Sequence, residues 1–323
     1  MEPWQHSPLG EFWVFGFTRG SMLPGWIGCA PQGDQLWLAL VQPQADGPPA
    51  VRWAAQEPWQ QPTPTLQRLR RSRSLHRHRC VALLQRAQYQ CVAMDAPADV
   101  PRAEWAQAVR WQLKDTVDFA VDSAALDVLA VPEGTSYRAQ QQLIAVAAAA
   151  AQVAPLVAQA SDAGTPWQAI DIAETALRNL SALLEPADRA QALLHCQPDH
   201  ATLVVTYQGE LLSTRQMDLA LLAAEGSDEA QRAQAFEQAG LELQRTLDGI
   251  ERAFGQVTLA RLLITPMPGV QALCAHLGPL LYVPVLPMLL DEVLDFSAVP
   301  DLAVDPLRLN QQLISIGAAL RGD

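Results

Sequence analysis

The side chains best suited to chemistry lie close together in one stretch, where His195 and His200 flank Cys196 and Asp199. A thiol beside an imidazole is the pairing that activates a cysteine nucleophile, because the base takes the thiol proton. The same four residues also read as a loop ahead of a strand, which is the plainer account. His76 and His78 offer two imidazoles, but no third ligand follows at metal-binding spacing. Asp115, Asp118 and Asp122 put three carboxylates close in sequence. They lack the glycine and alternating ligands of a calcium loop, so surface acids explain them. Gly-x-Ser-x-Gly, a Walker A run, the dinucleotide glycine fingerprint and His-Glu-x-x-His are all absent. The densest charge is basic: Arg68, Arg70, Arg71, Arg73, Arg77 and Arg79, with His76 and His78 among them. Such a cluster can meet anionic lipid or an acidic partner at about 1 kcal/mol per residue. A solvated face of an acidic protein is the simpler reading.

The rest of the composition narrows the function classes. A chain of 323 residues suggests two domains, and 50% hydrophobic with 17% charged residues is globular, not disordered. The net charge is −12, and Lys114 is the single lysine. That balance argues against nucleic-acid binding. Cys29, Cys80, Cys91, Cys196 and Cys274 are scattered and odd in number, which suits a reducing compartment and neither a disulfide framework nor a zinc site. No signal peptide is recognisable after Met1, and no window offers the run of about 20 apolar residues that a membrane span needs. A cytoplasmic protein is expected.

Elements that would position these residues follow from periodicity. Gln35–Val41 is a continuous apolar run, as in a strand buried on both faces. A strand is expected at Ala50–Ala54, and short ones at Cys80–Leu84 and Gln90–Met94. Asp99 is placed to cap a helix from Pro101 to Asp115, whose inner stripe carries Trp105, Val109 and Leu113. Arg110 and Trp111 then point away from that stripe. Leu143–Ala149 reads equally as buried strand or helix. Asp171 caps a helix with Glu174 three residues on, a capping-box arrangement. Its apolar face is Leu177, Leu180 and Leu184. Thr202–Tyr207 and Glu210–Arg215 form a hairpin about Gln208-Gly209. Leu243, Leu247, Ile250 and Phe254 mark another helix, and Arg261–Thr265 another strand. Leu309, Leu313, Ile316 and Leu320 lie on one face of a final amphipathic helix. There Gly317 costs about 1 kcal/mol against alanine, so it asks for a close backbone approach. Helices alternate with strands that hairpins interrupt, which implies mixed sheets in two α/β lobes.

Several blocks resemble the PilM family, the actin-like proteins of type IV pilus assembly. They are Trp26-Ile27-Gly28-Cys29-Ala30 with Gly33-Asp34-Gln35-Leu36; the stretch from Gln112 to Asp127; Leu243 to Gly255; and the terminal Ile316-Gly317-Ala318-Ala319-Leu320-Arg321. Within that family the branch called MshI, of mannose-sensitive haemagglutinin (MSHA) pili, is the best match. The cytoplasmic part of the type II secretion protein GspL is a related possibility. The resemblance implies a two-lobed actin-like (PilM/FtsA-like) fold with mixed sheets and a small subdomain inserted in the first lobe. The corresponding division is a lead-in at 1–24, a first lobe at 25–165 with the insert at about 78–135, and a second lobe at 166–323. The helix at 307–321 would return to the first lobe.

The same resemblance implies a function. Family members that bind ATP hold it with three loops, and all three depart from the pattern here. The first Asp-x-Gly falls near Ala30, where Pro31 also removes a backbone donor. The second falls near His195-Cys196-Gln197. The Gly-Gly turn that lets backbone approach adenosine becomes Thr265-Pro266-Met267-Pro268-Gly269. A degenerate nucleotide site is therefore expected, with no catalytic, cofactor or metal residues and no ATP. The chain would be a non-catalytic scaffold on the cytoplasmic face of the inner membrane. It would bind the cytoplasmic tail of a PilN-like platform protein and so associate peripherally with the membrane. An assembly-motor ATPase and a second copy of the chain are further expected partners, and nucleic acid is not. Arg110, Trp111 and Phe119 are the candidate tail-binding residues. An active actin-like ATPase is the alternative.

Overall fold

The computed structural model describes residues 22–137, 140–226 and 228–322. Most of the lead-in expected at 1–24 lies outside these residues. The chain divides into two compact units. The first holds the described residues up to Ala130, Gln140–Ala176 and the residues from Ile314 onward. The second holds Leu177–Leu313 and the described part of Val131–Ala139.

The first unit opens with β1 (Trp26–Gln32), β2 (Gln35–Gln42) and β3 (Ala50–Pro58), followed by α1 (Pro62–Ser72) and β4 (Arg79–Leu83). An insert follows with β5 (Tyr89–Asp95), α2 (Trp105–Val109), β6 (Ala125–Ala130) and β7 (Gln142–Ala148). After it come α3 (Ala150–Asp162) and β8 (Ala169–Asp171), and then α4 (Ala173–Ala182), which begins among first-unit residues and continues among second-unit residues. The main sheet runs β3-β2-β1-β4-β8. Its first three strands are antiparallel, and β1, β4 and β8 are parallel. β2 is buried along its length except at its ends, as a central strand of a covered sheet should be.

The second unit contains β9 (Ala190–Cys196), β10 (Ala201–Tyr207), β11 (Glu210–Met217), α5 (Leu221–Ala224), α6 (Glu229–Ala253), β12 (Leu259–Ile264), α7 (Val270–Leu277), β13 (Val285–Pro287) and α8 (Pro300–Ala303). Its sheet runs β11-β10-β9-β12-β13, again a three-stranded meander joined to two parallel strands. One strand order thus occurs twice in the chain. The hairpin between β10 and β11 turns on Gln208 and Gly209, both at positive φ, which matches the twist of the flanking strands. α9 (Pro306–Ala319) begins among second-unit residues and ends among first-unit residues. Among the described residues, no helix is long and apolar enough to cross a membrane.

Several boundaries differ from those expected. β8, placed by sequence in the second lobe, is hydrogen-bonded to β4 in the first sheet. β4 belongs to that sheet as well, so the insert does not begin at 78. Nor does it end at 135, because β7 is the central strand of the three-stranded sheet β5-β7-β6. That position makes Gln142–Ala148 a strand, which periodicity alone left undecided. α9 is not amphipathic: residues 312–319 are buried on every side. The close approach behind this burial is found at Gly28 of β1, where a Cβ would lie 2.0 Å from the Ser315 carbonyl oxygen.

Candidate functional site

Each of the three loops that an actin-like protein can use for nucleotide is positioned by strand ends. The first is the β1–β2 turn, made by Gly33 at φ +57° and Asp34. Ala30 is buried in β1 opposite Trp37 and offers no polar group. The Asp34 carboxylate accepts from Gln60 Nε2 at 2.8 Å, and its carbonyl accepts from Trp59 N–H at 2.7 Å. The one acid of this turn therefore ties the turn to the segment after β3.

The second loop joins β9 to β10 and is closed by Gln197 N–H donating to the His200 carbonyl at 2.8 Å. His195 is buried, and burial lowers its pKa to about 3, with His200 adding to the effect. The imidazole is therefore neutral. Its Nε2 lies 3.3 Å from Gln197 Nε2 and its Nδ1 3.2 Å from Thr265 Oγ1. As these groups stand, the Gln197 amide donates to Nε2 and Nδ1–H donates to the Thr265 hydroxyl. Burial also pushes the Cys196 thiol up to about 12, with Cys274 adding to it. A thiol held that high supplies no thiolate, so the cysteine–histidine nucleophile raised by the sequence is not formed. His200 turns instead to Asp199, at 2.7 Å.

The third loop follows β12. Thr265 N–H donates to the Leu194 carbonyl at 3.0 Å, and Asn310 Nδ2 donates to the Pro266 carbonyl at 2.8 Å. Gly269, at φ +70°, opens α7. A Cβ there would lie 2.1 Å from the Glu225 carboxylate, so that carboxylate covers the glycine at the amino end of α7. Glu225 Oε1 is buried and has no hydrogen-bond partner among the described residues. A helix amino terminus favours negative charge, which offsets part of the cost of burying it. Sequence reasoning missed Glu225, because nothing local links it to a turn so far along the chain.

The insert holds the candidate tail-binding residues. Its core gathers Trp105, Val109, Leu113, Val117, Val121 and Leu126 against Leu143, Ala145 and Ala147. The expected stripe Trp105–Val109–Leu113 is buried, but the expected continuous helix is not formed. A 3-10 turn at Arg102–Glu104 precedes α2, and another at Arg110–Leu113 follows it. Asp99 does not cap: it sits at φ +59°, and Pro101 occupies the cap position. Arg110 turns inward, donating through Nη1 to the Val121 carbonyl and to the Ala124 carbonyl, the latter at 2.9 Å. Phe119 is half-buried against the insert core. Trp111 is 68% exposed. The three residues therefore do not form one exposed patch. Arg110 and Phe119 shape the insert, and Trp111 alone presents a large apolar surface.

A buried polar cluster in the first unit was legible only in pieces. Asp171 Oδ2 pairs with Arg321 Nη1 at 3.0 Å, both side chains 5% exposed. Its Oδ1 accepts from Ile172 N–H at 2.9 Å and from the Thr175 hydroxyl. The Arg321 guanidinium lies over the Trp26 ring. Glu174 accepts from Tyr89 Oη at 2.5 Å, fastening the first turn of α4 to the insert sheet. Asp127, on β6, is held up to about 7. Burial is the main cause; Asp171 adds to it, while the Val128 N–H and Arg321 oppose it. An aspartate inside Ala125-Leu126-Asp127-Val128-Leu129-Ala130 was the signal available for it.

Other candidates disperse. His76 is exposed while His78 is buried, so the two do not converge. Among the described residues, no group of three or more His, Cys, Asp or Glu could hold a metal ion. Asp115, Asp118 and Asp122 are exposed, and Asp118 accepts from Gln90.

No family model matches the chain, and no curated protein matches it. Solved structures do. A PilM–PilN type IV pilus biogenesis complex matches with a TM-score of 0.70 at 20% identity, over 94% of this chain and 99% of the other. A Bacteroides thetaiotaomicron protein with an actin-like ATPase fold and unknown function matches at 0.51 and 11% identity, over 84% of this chain and 93% of the other. The cytoplasmic domain of EpsL, an inner-membrane component of the Vibrio cholerae type II secretion system, gives 0.49 at 11% identity, over 92% and 96%. The repeated strand order and the first two of these likenesses lead to one conclusion: this chain has the actin-like ATPase fold.

Proposed function

We propose that this chain is a non-catalytic scaffold of type IV pilus assembly, of the MSHA kind, that captures the cytoplasmic tail of a PilN-like membrane protein through its insert. The observation that carries this reading is the likeness in fold to the PilM–PilN complex across 94% of the chain. Trp111 is the anchor in this reading, since exposed tryptophans are frequent interface hot spots. Arg110 and Phe119 act as positioning residues that hold the turn carrying it. A degenerate nucleotide site fits the three loops. Ala30 has no carboxylate, a neutral imidazole and an amide stand at the second loop, and the Glu225 carboxylate lies over Gly269. A carboxylate in that place repels phosphate.

Two measurements test the proposal. Binding at ~100 times Kd stabilises a fold by about 2.7 kcal/mol, which raises Tm by several degrees. No shift is expected with millimolar ATP and magnesium. A reproducible shift that a non-hydrolysable analogue reproduces would instead favour an active actin-like ATPase. Pull-down from the native cell envelope is expected to recover a pilus platform protein. Recovery of a type II secretion platform in its place would reassign the system.

A further inference from the structure

Residues 277–290 carry no charged side chain, in a chain of net charge −12. They lead from the end of α7 through β13, the edge strand of the second unit's sheet. Leu281, Val283 and Val285 are buried, while Tyr282, Pro284 and Leu286 alternate with them and are exposed. Leu280 and Leu289 are exposed at either end of this segment. α6 borders the same surface. Leu280 Cδ1 lies 2.7 Å from where a Cβ on Gly240 would stand, and Tyr282 Oη donates to the Leu247 carbonyl at 3.5 Å. Leu241, next to Gly240, is 54% exposed. Exposed leucines scattered singly need no explanation, but a contiguous apolar set marks an interaction surface. Main-chain pairing is not what it offers, because Pro284 and Pro287 have no N–H to donate along this edge.

Two features of α6 select the occupant. Leu241, Arg245, Asp248 and Arg252 recur at i, i+4, i+7 and i+11, which is one outward helical face beside the apolar set. Arg245 and Asp248 form no ion pair among the described residues. In a twofold contact, residue pairs are made reciprocally by both copies. Two copies of α6 packed antiparallel bring Arg245 opposite the second copy's Asp248, and Asp248 opposite the second copy's Arg245. Leu241 then lies opposite the second copy's Arg252, whose stem is apolar. The face is thus complementary to itself, with both signs of charge in balance, in a chain whose net charge would otherwise repel a like copy. An anionic membrane matches only one of the two signs. The second feature is Gly249. It is exposed inside α6 with nothing within 4 Å of where its Cβ would be, and it costs about 1 kcal/mol against alanine. No neighbour within the chain calls for it, whereas the close approach of a second helix does. We infer that this face of the second unit, centred on Leu241, Leu280 and Tyr282, is the contact through which two copies of the chain associate. The inference is independent of the pilus reading, because the purified chain contains no platform protein.

The test is sedimentation equilibrium of the full chain, which is expected to show a monomer–dimer equilibrium with a micromolar or tighter Kd. Leu241→Glu with Leu280→Glu should weaken the dimer at least ~30-fold, with unchanged circular dichroism. Arg245→Glu alone, or Asp248→Arg alone, sets like charges opposite each other twice and should weaken it at least ~10-fold. An equimolar mixture of those two single variants should restore the dimer to near the parent level, because each then meets the opposite sign in the other. Such rescue belongs to a reciprocal contact between copies and to no other occupant. A chain still monomeric at ~100 μM overturns the inference. So does a dimer that the leucine substitutions leave intact, or a mixture that does not rescue. A monomer that sediments with phosphatidylcholine vesicles would give the face to a membrane. A monomer whose capture of a platform protein is lost with Leu280→Glu would give it to that partner, and either result overturns the inference as well.

Discussion

Asp127→Asn is the substitution with the most definite expected signature. Asp127 is 8% exposed and its Oδ1 accepts from Val128 N–H at 2.8 Å, a bond that an asparagine oxygen can keep. Burial raises this acid from 3.8 to about 7, so between those values the folded chain holds a proton that the unfolded chain has released. Stability therefore falls as pH rises through that window. The penalty is absent below about pH 4 and complete above about pH 7, where it approaches ~4 kcal/mol. Asparagine cannot ionise, so the variant escapes the penalty. Whatever constant offset the substitution adds, the difference between variant and parent should grow by about 2–3 kcal/mol from pH 5 to pH 8 in favour of the variant. Urea unfolding of both proteins at several pH values, followed by circular dichroism, measures that difference. Parallel pH curves would refute the reasoning. They would mean that Arg321 and the Val128 N–H stabilise the ionised carboxylate enough to cancel its burial.

Two further substitutions test packing and the proposed anchor. Gly28→Ala puts a Cβ 2.0 Å from the Ser315 carbonyl, a backbone atom that cannot swing aside. It should cost at least ~3 kcal/mol or prevent folding, read as a lowered Tm. Trp111→Ala should leave Tm nearly unchanged and weaken capture of the partner tail at least tenfold, about 1.4 kcal/mol. Arg110→Ala should do the reverse first: it removes the donor from two carbonyls and costs about 1–3 kcal/mol of stability.

Local pattern carried much of the fold. The hairpin at Gln208-Gly209, the continuous apolar β2 and the Trp105–Val109–Leu113 stripe were all readable, because each depends on neighbours within a few residues. The strand character of Gln142–Ala148 was not, since an apolar run acquires a period only from the strands on either side of it. The insert boundary failed for the same reason: β4 and β5 are close in sequence, yet they belong to different sheets. At the three candidate loops the residues themselves could be seen in sequence, but their partners could not. Glu225 against Gly269, and Arg321 against Asp171, join residues far apart in the chain, and no local spacing announces either contact.

The seat of Ser315 against Gly28 also sets a timetable. Gly28 is among the first residues of β1 to be synthesised, and its packing partner is made nearly three hundred residues later. At about 5–20 residues per second, that is a wait of roughly 15–60 s. During it, β1 to β4 must persist with the place of α9 empty and Asp171 without its guanidinium. The strands of the second unit come off the ribosome wholly within that interval, so its sheet can pair before the first unit is complete. The first unit would then spend its early life as an open sheet, and a chaperone that shields apolar strands would act on it there.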